Sequence, residues 1–393
     1  MGMDVDEIRA APAASAPASG AGAADGGRAV PAPTADPGGP PRPHPAPSTA
    51  WIDLARVAAM VAVVLVHAYS PLVTEVYADQ GSTSWWTATA ADAALRWCVP
   101  LFIMISGALL LGRRDEPPAD FYRKRWLRIG PPLLVWTAAY LGWEMWRSGL
   151  TLTEAAVQAA SGSPGIHLYF LYVIAGLYLF TPFLRTLVSA SSRDALWWFA
   201  GIAVALGAAN QALGVIDGVG GTTAVDRFLP FVGYYVLGWL LFHTGPGARA
   251  LRLGLTLLIT GSAAAAVGAG VAAGLAGEWG TGADYVFDFL SPPVVLASAG
   301  AFLVLREAGL RLASSARPAA GLLARGARWA AAPSFGVYLV HVMVLFSLRD
   351  LLGMPAQGPL AIAAATGYAA ATLVVSLAVV EVLRRLPMAR TVL

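Results

Sequence analysis

Charge is scarce in this chain. Of its 393 residues only 12% are Asp, Glu, Lys or Arg, against about 25% in soluble domains. Hydrophobic residues make up 57%, and the mean hydropathy is +0.62. A soluble protein of this length needs far more polar surface to cover its core, which excludes a large cytosolic enzyme. Cysteine is all but missing. Cys98 is alone, so a disulfide-stapled secreted scaffold is excluded as well. Lysine is reduced to Lys124; the other 25 of the 26 basic residues are arginines. That is not the interleaved Lys/Arg surface of a nucleic-acid reader, and no nucleic-acid partner is expected. The five histidines are scattered with no i, i+4 pair, so no metal site is expected. No G-x-S-x-G elbow suggests a serine triad.

What the chain does have is long apolar runs. Residues 1–48 stand apart: from Ala10 to Pro47 they are Ala/Pro/Gly/Ser repetition, too poor in large apolar groups to fold, and they read as a disordered cytoplasmic tail. Asp4, Asp6 and Glu7 occupy the place of a basic signal-peptide start. From Trp51 onward ten runs have roughly the 17–25 residues that cross a bilayer. They lie near 51–72, 94–112, 129–147, 168–187, 195–215, 228–243, 253–276, 287–305, 331–349 and 358–383. Arginine placement tests the count. With the N-terminus cytoplasmic, 22 basic residues fall inside and four (Arg96, Arg147, Arg227, Arg349) outside, as the positive-inside rule requires. One span more or fewer would invert every later loop. The expectation is an all-α, polytopic membrane protein of about ten helices over 49–386. Both termini are cytoplasmic, and 387–393 form a short C-terminal segment. Trp85-Trp86 and Trp197-Trp198 read as interfacial belts.

Polar side chains inside spans are costly and are candidates for function. In the first span Arg56 and His67 are eleven residues apart, about 20° beyond three helical turns, so they share a stripe and stand about 16 Å apart along it. Asp53 lies on much the same face, three residues before Arg56, and can pair with it. A histidine has the chemistry of a general base, though a core histidine bonded to a neighbouring helix is the plainer reading. Before the third span, Arg125 and Arg128 are three residues apart. Arginine forks suit phosphate oxygens, and they equally suit lipid headgroups.

Five segments together resemble the integral-membrane acyltransferase type 3 family. They are Asp53-x-x-Arg56 with ten residues to His67, and Pro100-Leu-Phe-Ile-Met-Ile-Ser106-Gly107. Then come Arg125-x-x-Arg128-Ile-x-Pro131, His167-Leu-Tyr-Phe-Leu-Tyr172, and Ser334-Phe-Gly-Val-Tyr338-Leu-Val-His341. The likeness runs from about 51 to 385. It implies transfer of an acyl group, usually acetyl, from cytoplasmic acyl-CoA to a hydroxyl of a saccharide, lipid-linked glycan or natural product. The setting it implies is the bacterial cytoplasmic membrane, with membrane lipids as neighbours and no metal. By the resemblance His67 activates the acceptor hydroxyl or carries the acyl group briefly, and Arg56 holds the donor or orients the histidine. Arg125 and Arg128 bind CoA phosphates, with Ser106 near the thioester. His167, Tyr172, Tyr338, His341 and Asp53 serve the substrate. Tyr169 and Phe335 stand where tryptophan and tyrosine are commoner in the family, so neither aromatic's role carries over. Ser106-Gly107 could equally be a small-residue packing contact. A transporter or flippase for a sugar or small amphiphile is the alternative; the two halves of the chain show no matching pair of Gly/Pro-broken spans.

Overall fold

The computed structural model describes residues 49–74, 80–113, 116–217, 223–353, 358–387 and 389–393. The expected tail over 1–48 lies outside the described residues. Every regular element among the described residues is helical. In chain order they are α1 (Ile52–Thr74), α2 (Thr83–Ala93), α3 (Cys98–Leu110), α4 (Pro118–Ser148), α5 (Leu152–Ser161), α6 (Tyr169–Ala190) and α7 (Arg193–Asp217). There follow α8 (Val232–Phe242), α9 (Ala248–Ala276), α10 (Thr281–Phe287), α11 (Pro292–Ser314), α12 (Pro318–Ala331), α13 (Ser334–Leu352) and α14 (Pro359–Leu383). Two single 3₁₀ turns lie at Leu229–Phe231 and Ala389–Val392. Eight helical stretches among the described residues are long and apolar enough to cross a membrane. The protein is an all-α polytopic membrane protein.

All ten expected segments are largely helical, but three differ in detail. The expected second span, 94–112, is helical only over the thirteen residues of α3. It is preceded by an unexpected helix, α2, which is capped by Ser82 accepting from the Trp85 amide and joined to α3 by a turn at 94–97. The third span begins early. Pro118 starts α4 in the first helical position, where its missing N–H costs nothing, so Arg123, Lys124, Arg125 and Arg128 ride on helix and not on a loop. The sixth is short, Leu229–Phe242. Trp85 is also not a belt residue. It is buried, and its indole N–H donates to Val73 O at 3.1 Å because α2 folds back on the end of α1.

Helix α1 is the hub, packed against α2, α3, α11, α12, α13 and α14. A hub helix is apolar on most of its circumference, which is why its few polar residues face protein. The tightest crossing is α3 on α8. A Cβ on Gly107 would sit 1.8 Å from Tyr235 O, and one on Gly238 would sit 2.1 Å from Met104 O, so backbone meets backbone as in other small-residue membrane crossings.

Between α3 and α4 the chain is held by Glu116. Its carboxylate accepts from Arg185 Nη2 at 3.1 Å and Lys124 Nζ at 3.2 Å, while Arg185 Nε donates to Leu110 O at 2.8 Å. Burial alone would raise the Glu116 carboxyl, but the bonds from Arg185 and Lys124 outweigh it and hold the group below the ordinary carboxylate range. A depressed carboxyl stabilises above its unfolded-state value, and that contribution fades as pH falls through the folded-state value. Glu116→Gln is therefore expected to lower stability by about 1–3 kcal/mol at neutral pH. The gap in melting temperature between variant and wild type should close on acidification; a gap that stays constant with pH contradicts the assignment.

Candidate active site

The three histidines of the candidate motifs, separated by up to 274 residues, meet in one place. His67 projects from α1, His167 from the connection before α6, and His341 from α13. Ring centroids lie 5.3 Å apart for His67–His341, 6.3 Å for His67–His167 and 4.9 Å for His167–His341. The reading of the histidines as scattered is thereby corrected; sequence spacing cannot encode a contact made through three separate elements. Among the described residues, no group of three or more His, Cys, Asp or Glu side chains is arranged to hold a metal ion.

Backbone carbonyls fix much of this cluster. His341 Nδ1 lies 2.6 Å from Tyr338 O; a carbonyl only accepts, so Nδ1 carries the hydrogen and Nε2 bears the lone pair. That Nε2 is buried and has no hydrogen-bond partner, and the His167 ring is buried against the backbone of Tyr338 and Leu339. Tyr338 Oη donates to His167 O at 2.6 Å, and Tyr140 Oη donates to Leu339 O at 2.9 Å with its ring 4.9 Å from His167. Arg349 Nη2 donates to His67 O and Ala68 O at 2.8 and 3.1 Å, bracing α1 at the histidine. His341 and His167 are buried, and His67 is the least enclosed residue of the three. Buried polar groups are normally satisfied, so the unpaired Nε2 of His341 beside a less enclosed histidine marks a place where something polar binds.

Tyr140 and Arg349 were missed by the sequence reading. Arg349 carried a signal, since it is one of four arginines on the sparse side of the charge distribution. All four are tied down. Arg96 pairs with Asp92 at 2.8 Å and bonds Phe287 O, and Arg147 pairs with Asp350 at 2.7 Å. Arg227 donates to Ser161 O. Tyr140 had no signal beyond being a tyrosine in an apolar run.

At the N-terminal end of α1, Arg56 is buried with Asp53 Oδ1 4.0 Å from its Nη1, and Arg128 and Tyr178 lie within electrostatic range. The structure separates the Arg125–Arg128 pair. Arg125 is buried, its guanidinium 5.3 Å from the Phe121 ring and 5.9 Å from that of Tyr178. Three residues of helix are enough to turn Arg128 instead into a cavity of about 540 Å³ shared with Arg384, Arg385 and Arg390. Two other candidates have their hydroxyls bonded to other groups. The Ser106 hydroxyl donates to Phe102 O of its own helix at 2.9 Å, beside the Gly107 crossing. Tyr172 Oη is bonded to Thr137 Oγ1 at 3.0 Å, facing α4.

At the opposite end of the helices a second cavity, about 480 Å³, is lined by Tyr169, Gln211, Arg227, Asp288 and Phe289 among others. Its size is that of small-molecule pockets, roughly 300–1,000 Å³. The Tyr169 and Phe289 rings stack at 6.5 Å, the Tyr169 hydroxyl is buried without a partner, and Gln211 Nε2 donates to Asp288 Oδ2 at 3.1 Å. Arg96 lies within electrostatic range of both Asp288 and His67. The histidine cluster therefore has a basic cavity toward one end of the molecule and a mixed aromatic and polar cavity toward the other.

A family model described as an acyltransferase domain matches residues 49–381. No curated protein and no solved structure matches the chain.

Proposed function

Starting from the fact that the chain belongs to the type 3 membrane acyltransferase family, we propose that it moves an acyl group from acyl-CoA to a hydroxyl of a saccharide or related glycan-like acceptor. The acyl group is acetyl in the simplest case. The observation that carries this reading is the meeting of His67, His167 and His341 around the unpaired, buried Nε2 of His341. His67 is the least enclosed of the three, and it acts as the general base. It takes the proton of the acceptor hydroxyl as that oxygen attacks the thioester carbonyl. The tetrahedral intermediate collapses to ester, the C–S bond breaks, and the CoA thiolate takes a proton from the imidazolium. A base so placed contributes about 10²- to 10⁴-fold. In the covalent variant the imidazole nitrogen attacks the thioester carbonyl, and a C–N bond forms as the C–S bond breaks and the CoA thiolate leaves. The acceptor oxygen then breaks that C–N bond to form the ester, its proton ending on the thiolate.

The two cavities support a division of labour. CoA is polyanionic, and the arginines gather at the Arg56 end, with Arg128 in the cavity there. From Arg56 to His67 is about 16 Å of helix, a span for an extended pantetheine arm. The acceptor enters from the other end, where the Tyr169–Phe289 stack and the Gln211–Asp288 pair offer a ring face and hydrogen-bonding groups. In this reading the Arg56 end faces the cytoplasm of a bacterial cell, both termini are cytoplasmic, and CoA never crosses the membrane. The excess of arginine at that end supports the orientation.

The test is product formation. The full chain in nanodiscs, given acetyl-CoA and a panel of methyl hexopyranosides, is expected to yield an acetyl ester detectable by mass spectrometry, with one CoA released per ester. Sugar uptake into proteoliposomes without ester formation would contradict the proposal and favour the transporter.

A further inference from the structure

Arg384, Arg385 and Arg390, the last three arginines of the sequence, have no part in the motifs, yet all three converge on the cavity that holds Arg128. This cavity lies between α4, the start of α13 and the end of α14, and Arg128, Arg384, Arg385 and Arg390 all line it. Sequence separates Arg128 from the others by some 250 residues; the fold closes the gap twice. Helix α14 packs along α13 and α1, bringing Arg384 and Arg385 to the arginine-rich end. The chain then turns back in the Ala389–Val392 3₁₀ turn, which packs on α4 where Trp136 Nε1 donates to Val392 O at 2.8 Å. Arg390 is fastened within this turn by a bond from its Nε to Arg384 O, which leaves the Arg384 guanidinium itself uncommitted by that contact.

We propose that this cavity is a polyphosphate site in which Arg384, Arg385 and Arg390 join Arg128 to bind the phosphate-bearing end of the CoA donor. The proposal rests on the acyl-CoA reading above and adds residues that belong to none of the five matching segments. The charge fits. A phosphate monoester carries about −1.5 to −2 at neutral pH, so the 3′-phosphate together with the diphosphate of CoA brings about four negative charges. Four guanidinium groups face them, offset in part by Glu381, whose Oε1 is 4.0 Å from Arg385 Nη2. The first turn of α13 also lines the cavity, through Pro333, Phe335 and Gly336. Amides and positive dipole at a helix N-terminus add a second attraction for phosphate. Arginines at the end of a final span also serve as headgroup contacts, but four that converge on one concavity from two distant stretches of chain make a shaped site.

The experiment is calorimetric titration of the full chain in nanodiscs made only of zwitterionic lipid. The titrants are CoA and 3′-dephospho-CoA. Wild type is expected to bind CoA about tenfold more tightly than dephospho-CoA, the scale of one charge-assisted phosphate contact. The Arg384→Gln/Arg390→Gln double variant is expected to bind CoA about 10- to 100-fold more weakly and to lose that discrimination. Arg249→Gln, outside the cavity, serves as the control. Because the dephospho-CoA comparison is made on wild type, a folding defect in the double variant does not obscure the answer. CoA binding that ignores both the 3′-phosphate and the C-terminal arginines overturns the inference and leaves the acyl-CoA reading standing. An affinity that appears only when anionic lipid is removed, and is matched by phosphatidylglycerol binding lost in the double variant, assigns the cavity to lipid and overturns the inference too. No CoA binding by wild type under any of these conditions brings down the inference and the acyl-CoA donor together.

Discussion

His67→Ala is expected to lower acyl transfer by about 10²- to 10⁴-fold while leaving CoA affinity within about twofold of wild type, since the phosphate-binding groups lie near the other end of the Arg56–His67 stripe. The loss should appear in kcat and not in the donor KM. His341 and His167 are too enclosed to take its place: both are buried, and the Nδ1 of His341 is committed to Tyr338 O. The alanine variant should fold, because the interaction that braces α1 at this point runs from Arg349 to the backbone carbonyls of His67 and Ala68, which the substitution preserves. An alanine variant with near-wild-type kcat would remove the base from the account, whatever the overall activity.

The largest structural effect is expected at the α3–α8 crossing. Gly238→Val should prevent recovery of monodisperse protein, and Gly238→Ala should cost at least the 1–3 kcal/mol typical of overpacking. The reason is what the new carbon would meet. Its first contact is Met104 O at 2.1 Å, with the Met104 Cα and carbonyl carbon close behind, so no side chain can swing aside. Gly107 faces the reciprocal obstacle in Tyr235 O. The measurement is size-exclusion profile and melting temperature in one detergent. An unchanged melting temperature for Gly238→Ala would mean that the helices are not in backbone contact.

How much of this was readable beforehand depends on whether the signal was local. The apolar runs are local properties of single segments, and they located the helices. The Arg56–His67 stripe depends only on helical periodicity within α1, and both residues remain on that helix. The histidine cluster is not local. His167 sits in a connection with no periodicity, and only the packing of α13 beside α1 brings His341 to it. Arg125 and Arg128 illustrate a finer limit. Three residues' spacing makes them neighbours, but the environment of each side chain depends on α6, which offers Tyr178 to one, and on α13 and α14, which offer a cavity to the other. Ser106 was read in two ways, as a thioester contact and as a packing residue. The bond to Phe102 O and the adjacent glycine crossing describe its packing. The early start of α4 was hidden by its charges, which lower hydropathy without breaking a helix.

The most direct measurement is donor turnover by wild type. Protein in nanodiscs is mixed with acetyl-CoA labelled in the acetyl group, with and without a methyl hexopyranoside, and free CoA and label on acceptor and protein are followed together. The account predicts that CoA is released in step with label appearing on the acceptor, and that His67→Ala abolishes both. Intact thioester in wild type across acetyl-, succinyl- and short branched acyl-CoA, with acceptor present, would contradict it.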